Sequence, residues 1–181
     1  ISVRHNNGFL ITPSGKKYSS LKVKDIVFVS LDGKYEKKYK PSSEWRFHQD
    51  IYVKKKDAQA IVHSHSTNAT ALSVHKKPIP AFHYMVALAG GNDIKCAKYA
   101  TYGTRELSKN ILKALNNRKA CLIANHGQIA FDNNLPDAFE LAQEVENLSL
   151  QYITALKLGK PKILSINEMN KVLKKAKNYK R

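Results

Sequence analysis

Apolar runs of strand length alternate with runs of helical periodicity along this chain, and that alternation restricts the fold to strands and helices layered over one core. The longest helical run is Leu135 to Leu158, amphipathic throughout, with Pro136 in its first turn and Gly159 just past its end. It follows a turn at Asn133-Asn134. A second helix is expected over Gly103 to Asn117, where Leu107, Ile111, Leu112 and Leu115 make the buried stripe. A third is expected over Ser42 to Lys55, opened by a hydroxyl cap, with Trp45, Gln49 and Tyr52 at one helical spacing and Phe47 and Ile51 at another. A short fourth is capped by Ser66 and runs to His75, before Pro78 and Pro80 stop it. Strands are expected at Phe9 to Ser14, Asp25 to Gly33, Ala58 to His65, Asp93 to Tyr99 and Ala120 to Asn125. The sum is an α/β layered fold.

With 181 residues, 43% hydrophobic and 25% charged, the chain fits one domain over residues 1–181. No apolar run approaches the roughly 18 residues a membrane span needs, and Ile1-Ser2-Val3-Arg4-His5 carries no secretory pattern. A cytoplasmic protein is expected. Cys96 and Cys121 form no C-x-x-C pattern and imply neither a disulfide framework nor a thiolate metal site. The net charge of +17 is dispersed, and no nucleic-acid-binding motif accompanies it, so no nucleic-acid partner is expected. A positive field of this kind concentrates small anionic substrates.

Within the strand ending "IVHSH", residues two apart share a face, so His63 and His65 lie side by side. Two adjacent imidazoles are a two-pronged metal grip, or a pair of strand-end histidines bonding their neighbours. A third histidine ends the apolar run "CLIANHG", where Gly127 lets the chain turn beside His126. Three neutral imidazoles bind zinc and leave a position open for substrate, as catalytic sites require. Asn-His-Gly alone is equally an ordinary turn.

In "KPSSEWRFH", Glu44 falls in a first helical turn, as a capping charge or as a proton carrier. His48 lies four residues on, as a ligand, a partner of Glu44 or, better, a packing residue. Ser14 and Gly15 in "ITPSG", with Ser42 and Ser43, are a turn and a cap, or a set of groups able to hold phosphate oxygens.

Taken in order, "ITPSG", "KPSSEWRFH", "IVHSHSTNATAL", "IPAFHYM", "YATYGTREL", "ANHG" and "VE" resemble the class II aldolases of the aldolase and adducin-head superfamily, and its fuculose-type branch in particular. The resemblance covers essentially the whole chain. It implies a three-layer α/β/α sandwich with a mixed or antiparallel central sheet covered by helices. It implies a Zn²⁺-dependent, reversible cleavage of L-fuculose 1-phosphate to dihydroxyacetone phosphate and L-lactaldehyde. His63, His65 and His126 look like the metal ligands, joined in the absence of substrate by Glu44, which is also the catalytic carboxylate. Tyr84 resembles a proton-donating tyrosine supplied by a neighbouring subunit of a homotetramer. Ser14, Gly15, Ser42 and Ser43 look like part of the phosphate pocket, and Tyr102 and Tyr179 line the aldehyde side.

Two departures stand out. The family's N-terminal helix and Ser-Gly-Asn phosphate turn would precede Ile1, and their lack here leads us to expect an incomplete phosphate grip. Ala176 stands where an aromatic is expected near the substrate's methyl end, which puts aldehyde selectivity in question. Relatives that share the metal centre epimerise, cleave or dehydrate other sugar phosphates. Others are adducin-like binding modules without catalysis.

Overall fold

The run Ala58 to His65 has apolar residues on both sides of its alternation, and in the computed structural model both sides are covered. The structure describes residues 1–36 and 38–179, with side chains through residue 176. The strands are β1 (Ser2–His5), β2 (Gly8–Ile11), β3 (Val27–Ser30), β4 (Ala60–Ser64), β5 (Ile79–Pro80), β6 (Asp93–Ile94), β7 (Cys96–Ala97), β8 (Ala120–Ile123) and β9 (Gly127–Asp132). The helices are α1 (Trp45–Lys54), α2 (Thr67–Ser73), α3 (Arg105–Ala114), α4 (Leu135–Lys157) and α5 (Ile166–Tyr179).

Seven strands form one sheet in the order β3-β2-β1-β4-β9-β8-β7, while β5 and β6 pair separately. The large sheet is antiparallel except for β7 against β8, which makes it mixed. Its central strands bury alternate residues in two different clusters. Ile61, Cys121, Ile123, Ile129 and Phe131 meet Phe47, Ile51 and Tyr52 of α1 and Leu107 and Ile111 of α3. Ala60, Val62, Ala120, Leu122 and Ala130 meet α2 and α4 through Ala69, Leu72, Leu141, Ala142, Val145 and Leu148. Helices therefore cover both faces, giving the expected three layers, and this is why β4 and β8 read as apolar runs, while β9 (GQIAFD), with polar residues at both ends, is not among the strands expected from the sequence. Truncating a fully buried side chain such as Ile111 to alanine costs about 2–5 kcal/mol.

Several expected boundaries move. The Asp93 to Tyr99 run is two short strands in different sheets, because Ile94 pairs with Ile79 while Cys96 pairs with Leu122. The strands expected over Phe9 to Ser14 and Asp25 to Gly33 shorten to β2 and β3. Ser66 does not cap α2 with its hydroxyl; Glu146 of α4 does that work instead, accepting from the N–H groups of Asn68 and Ala69 at 2.8 Å each. Asn134 does cap α4, accepting from the Asp137 N–H at 2.8 Å. Among the described residues no helix is long and apolar enough to cross a membrane.

Candidate active site and metal centre

His63 leaves β4 near its C-terminal end, and His126 enters just before the paired strand β9. In the antiparallel ladder His63 faces Ile129 and Ser64 faces Gln128, so the end of one strand and the start of the other meet at one edge of the sheet. The close approach depends on Gly127, where a Cβ would stand 2.4 Å from the Ser64 carbonyl oxygen and 3.1 Å from the His65 ring. His65 then lies beside His63, and the three rings pack with centroids 4.8–4.9 Å apart. One nitrogen from each ring lies within 4.8 Å of the other two.

The main chain sets the orientation of the first ring. His63 Nδ1 lies 2.8 Å from the Gln128 carbonyl oxygen. A carbonyl can only accept, so Nδ1 carries the proton and Nε2 turns a lone pair toward the other histidines. That Nε2 is 3.1 Å from His65 Nε2. Burial, followed by the adjacent imidazoles, lowers the pKa of His65 and favours its neutral, ligating form.

Glu44 completes the cluster. It precedes α1 rather than lying in its first turn, and Ser42 Oγ accepts from its N–H at 3.3 Å. Its side chain turns inward, placing Oε2 3.1 Å from His126 Nε2 and 3.3 Å from His63 Nε2. Burial alone would raise the carboxyl's pKa, but the His126 and His63 imidazoles outweigh it and hold the group well below the usual carboxylate range. Oε2 is buried and makes no hydrogen bond of regular geometry, its nearest polar neighbours being these two ring nitrogens.

An orphaned carboxylate oxygen and converging imidazole nitrogens are a donor set for a divalent cation. Tetrahedral zinc with bonds of 2.0–2.1 Å would separate its ligand atoms by about 3.3–3.4 Å. The contacts of 3.1, 3.1 and 3.3 Å found here come close to that spacing. His63, His65 and His126 could therefore hold a metal ion, with Glu44 beside them.

His48 is not part of this set. It is buried, stacked on Phe47, with Nδ1 2.7 Å from Ser2 Oγ, which also meets Tyr52 OH at 2.8 Å. The packing role holds for it. Ser14 and Gly15 form an exposed turn brought alongside Ser42 by the Ser14 N–H to Lys40 carbonyl bond and the Ser42 N–H to Thr12 carbonyl bond, both 3.0 Å. Ser43 is exposed next to them. Tyr102 is exposed beside Gly103, whose N–H donates to Glu44 Oε1 at 3.2 Å. Tyr84 is half-exposed in a 3-10 turn over Tyr84–Ala89, its ring against His83, and no hydrogen bond joins it to Glu44 or the histidines. The Tyr179 side chain lies outside the described residues.

A sequence model of the family described as Class II Aldolase and Adducin N-terminal domain matches residues 1–153. The chain belongs to that family. This class II aldolase is 51% identical to a 5-methylthioribulose-1-phosphate/5-deoxyribulose-1-phosphate aldolase of Rhodospirillum rubrum, over 99% of its own length and 81% of that protein's. It is also 51% identical to an L-fuculose phosphate aldolase of Escherichia coli, over 99% of its length and 84% of that protein's. A solved structure of L-fuculose 1-phosphate aldolase superposes with a TM-score of 0.94 at 42% identity, over 97% of this chain and 84% of that one. The family, the fold and the enzyme class, an aldehyde-lyase, all agree with the reading of the sequence.

Proposed function

We propose that this class II aldolase reversibly cleaves a ketose 1-phosphate into dihydroxyacetone phosphate and a short aldehyde, with L-fuculose 1-phosphate and L-lactaldehyde as the pair. The observation that carries the reading is the buried, unpartnered Glu44 Oε2 aimed among the nitrogens of His63, His65 and His126. Zinc held by the three histidines would act as a Lewis acid toward the substrate's ketone and offset the negative charge that cleavage sends there.

The chain's own residues carry the protons. When the bond between carbons 3 and 4 breaks, the hydroxyl on carbon 4 loses its proton and becomes the aldehyde oxygen. Tyr84, from a neighbouring copy in a homotetramer, takes that proton; its exposure and its lack of a hydrogen bond to the site support a role across an interface. Carbon 3 keeps the bonding electrons and receives a proton from Glu44. Ser14, Gly15, Ser42 and Ser43 hold the phosphate with hydroxyls and main-chain N–H groups. Tyr102 and Tyr179 contact the aldehyde half. Such an enzyme of sugar metabolism works in the cytoplasm.

A second substrate is favoured by a specific finding: the Rhodospirillum rubrum relative is as similar as the Escherichia coli one. Both reactions would share the phosphate and ketone contacts and differ only in the aldehyde. Dihydroxyacetone phosphate release should therefore be followed from L-fuculose 1-phosphate, 5-deoxyribulose 1-phosphate and 5-methylthioribulose 1-phosphate in parallel. The largest kcat/KM assigns the substrate. Removing zinc should abolish release, and Glu44→Gln should keep the metal while lowering kcat at least a hundredfold. A near-normal rate in Glu44→Gln would overturn the proton role.

A further inference from the structure

We propose that the main-chain N–H of Gly103 is a latch on Glu44, so that Gly103 is a positioning residue setting how readily the carboxylate leaves the histidine cluster. The inference rests on the reading of Glu44 as both a neighbour of the metal and a proton carrier. The position its Oε2 takes, 3.1–3.3 Å from two imidazole nitrogens, is also where a substrate oxygen would have to enter. Glu44 must therefore give way before it can serve the carbon being protonated. What holds it in place decides how easily it does so.

The two carboxylate oxygens have separate anchors. Oε2 points among the histidines, while Oε1 accepts from Gly103 N–H at 3.2 Å. The turn that carries this N–H is braced. Thr104 Oγ1 donates to the Thr101 carbonyl at 2.7 Å and accepts from Leu107 N–H at 3.2 Å, which caps α3. α3 is tied in turn to α1 by Ser108 Oγ, which donates to Asp50 Oδ2 at 2.5 Å. The helix that follows Glu44 and the turn that grips Glu44 are thus fastened to each other, and the N–H is presented from a fixed support.

Glycine fits the position without strain. Gly103 has φ +73°, and a Cβ there would stand 3.2 Å from the carbonyl oxygen of Ser43, the residue before Glu44. Any side chain would push the turn off the peptide that bears the carboxylate and lengthen the N–H to Oε1 contact. Tyr102, two-thirds exposed, is the adjacent residue.

The test is a double-mutant cycle read by zinc affinity in competition with a chromophoric chelator, without substrate. Gly103→Asn is the first variant, since asparagine tolerates positive φ better than other side chains. Thr104→Val, which keeps the glycine and loosens its brace, is the second, and both are measured with Glu44 intact and in Glu44→Ala. The latch predicts about tenfold weaker zinc binding when Glu44 is present and no further loss when it is absent. It also predicts unchanged or tighter binding of dihydroxyacetone phosphate to the zinc-loaded variants, because a released carboxylate competes less. Equal losses in both backgrounds, or weakening of zinc and dihydroxyacetone phosphate together, would show a merely structural role and overturn the proposal. If Glu44→Ala alone left zinc affinity unchanged, the reading of Glu44 as a neighbour of the metal would fail instead.

Discussion

His63 donates its Nδ1 proton to the Gln128 carbonyl across the β4–β9 ladder, at 2.8 Å. The acceptor is itself fixed, because Gln128 Nε2 donates to Ser66 Oγ and to the Ala142 carbonyl at 2.9 Å each. One imidazole is thereby pointed inward by the sheet and by α4 together, before any ion arrives. A preset grip of this kind binds metal in the folded chain far better than in the unfolded one.

Zinc should therefore stabilise the fold. At a free concentration a hundred times its Kd the gain is about 2.7 kcal/mol, which for a chain of this size raises Tm by about 5–10 °C. Calorimetry with zinc, with a chelator, and on His126→Ala should show the shift in the first case alone. An identical Tm in all three would mean that the histidines do not hold the ion.

Gly127→Ala should be costly. The added methyl meets the Ser64 carbonyl at 2.4 Å, and main chain cannot step aside as a side-chain tip can. Strands β4 and β9 must part at the site, at a cost of about 1–3 kcal/mol, with zinc affinity falling in parallel. Urea unfolding and a zinc titration on the same preparation check this.

Glu146→Gln removes a charged cap from α2. Burial disfavours the ionised form, but the Ala69 and Asn68 N–H groups and the Ser66 and Asn68 side chains outweigh it and lower the pKa. A lowered carboxyl pKa contributes stability above its unfolded value of about 4.3, and that contribution fades as pH falls through the folded value. The variant should lose about 1 kcal/mol at pH 7. Its deficit against the native chain should shrink below pH 4, and a deficit independent of pH would rule out the charge.

His48 gives the opposite kind of group, a buried base. Burial pushes its pKa well below the ordinary histidine value, so the folded chain keeps it neutral. Below about pH 6.5 the unfolded chain binds one more proton here, and stability falls by up to about 1.4 kcal/mol per pH unit. In His48→Leu, where Ser2 and Tyr52 still bond each other, the loss of stability between pH 7.5 and 5 should be shallower. Equal slopes for both proteins would contradict the assignment.

The parts of this molecule that were legible in its sequence are those where local pattern and burial coincide. Of the stripe expected along α3, Leu107, Ile111 and Leu115 at its C-terminal end are fully buried, while Leu112 is only half-buried at the edge of the same cluster. The side-by-side placement of His63 and His65 followed from the period of a strand. Other features depend on partners distant in sequence. β1 pairs with both β2 and β4, yet "SVRH" alternates too little to announce a strand. Ser66 reads as a cap, but its hydroxyl accepts from Gln128 and bonds Glu146 of α4, and the capping carboxylate is Glu146 itself. α5 is lysine-rich, and its fully buried Met169 gives little periodicity to read. The Gln128 carbonyl carries no residue identity at all, so no sequence pattern could name it as the group that orients His63.

The ladder that joins residues 60–64 to residues 128–132 also governs when the site comes into being. A large part of the chain, including α2, α3 and β8, intervenes between the two strands, so their pairing must close a long loop before it gains any contacts. Until the two strands pair, His126 is separated from the His63 and His65 pair, and the chain offers two neighbouring imidazoles and a distant third rather than a three-nitrogen set. The complete three-histidine grip therefore exists only where the β4–β9 ladder has formed, so the same pairing that closes the sheet also creates the metal centre.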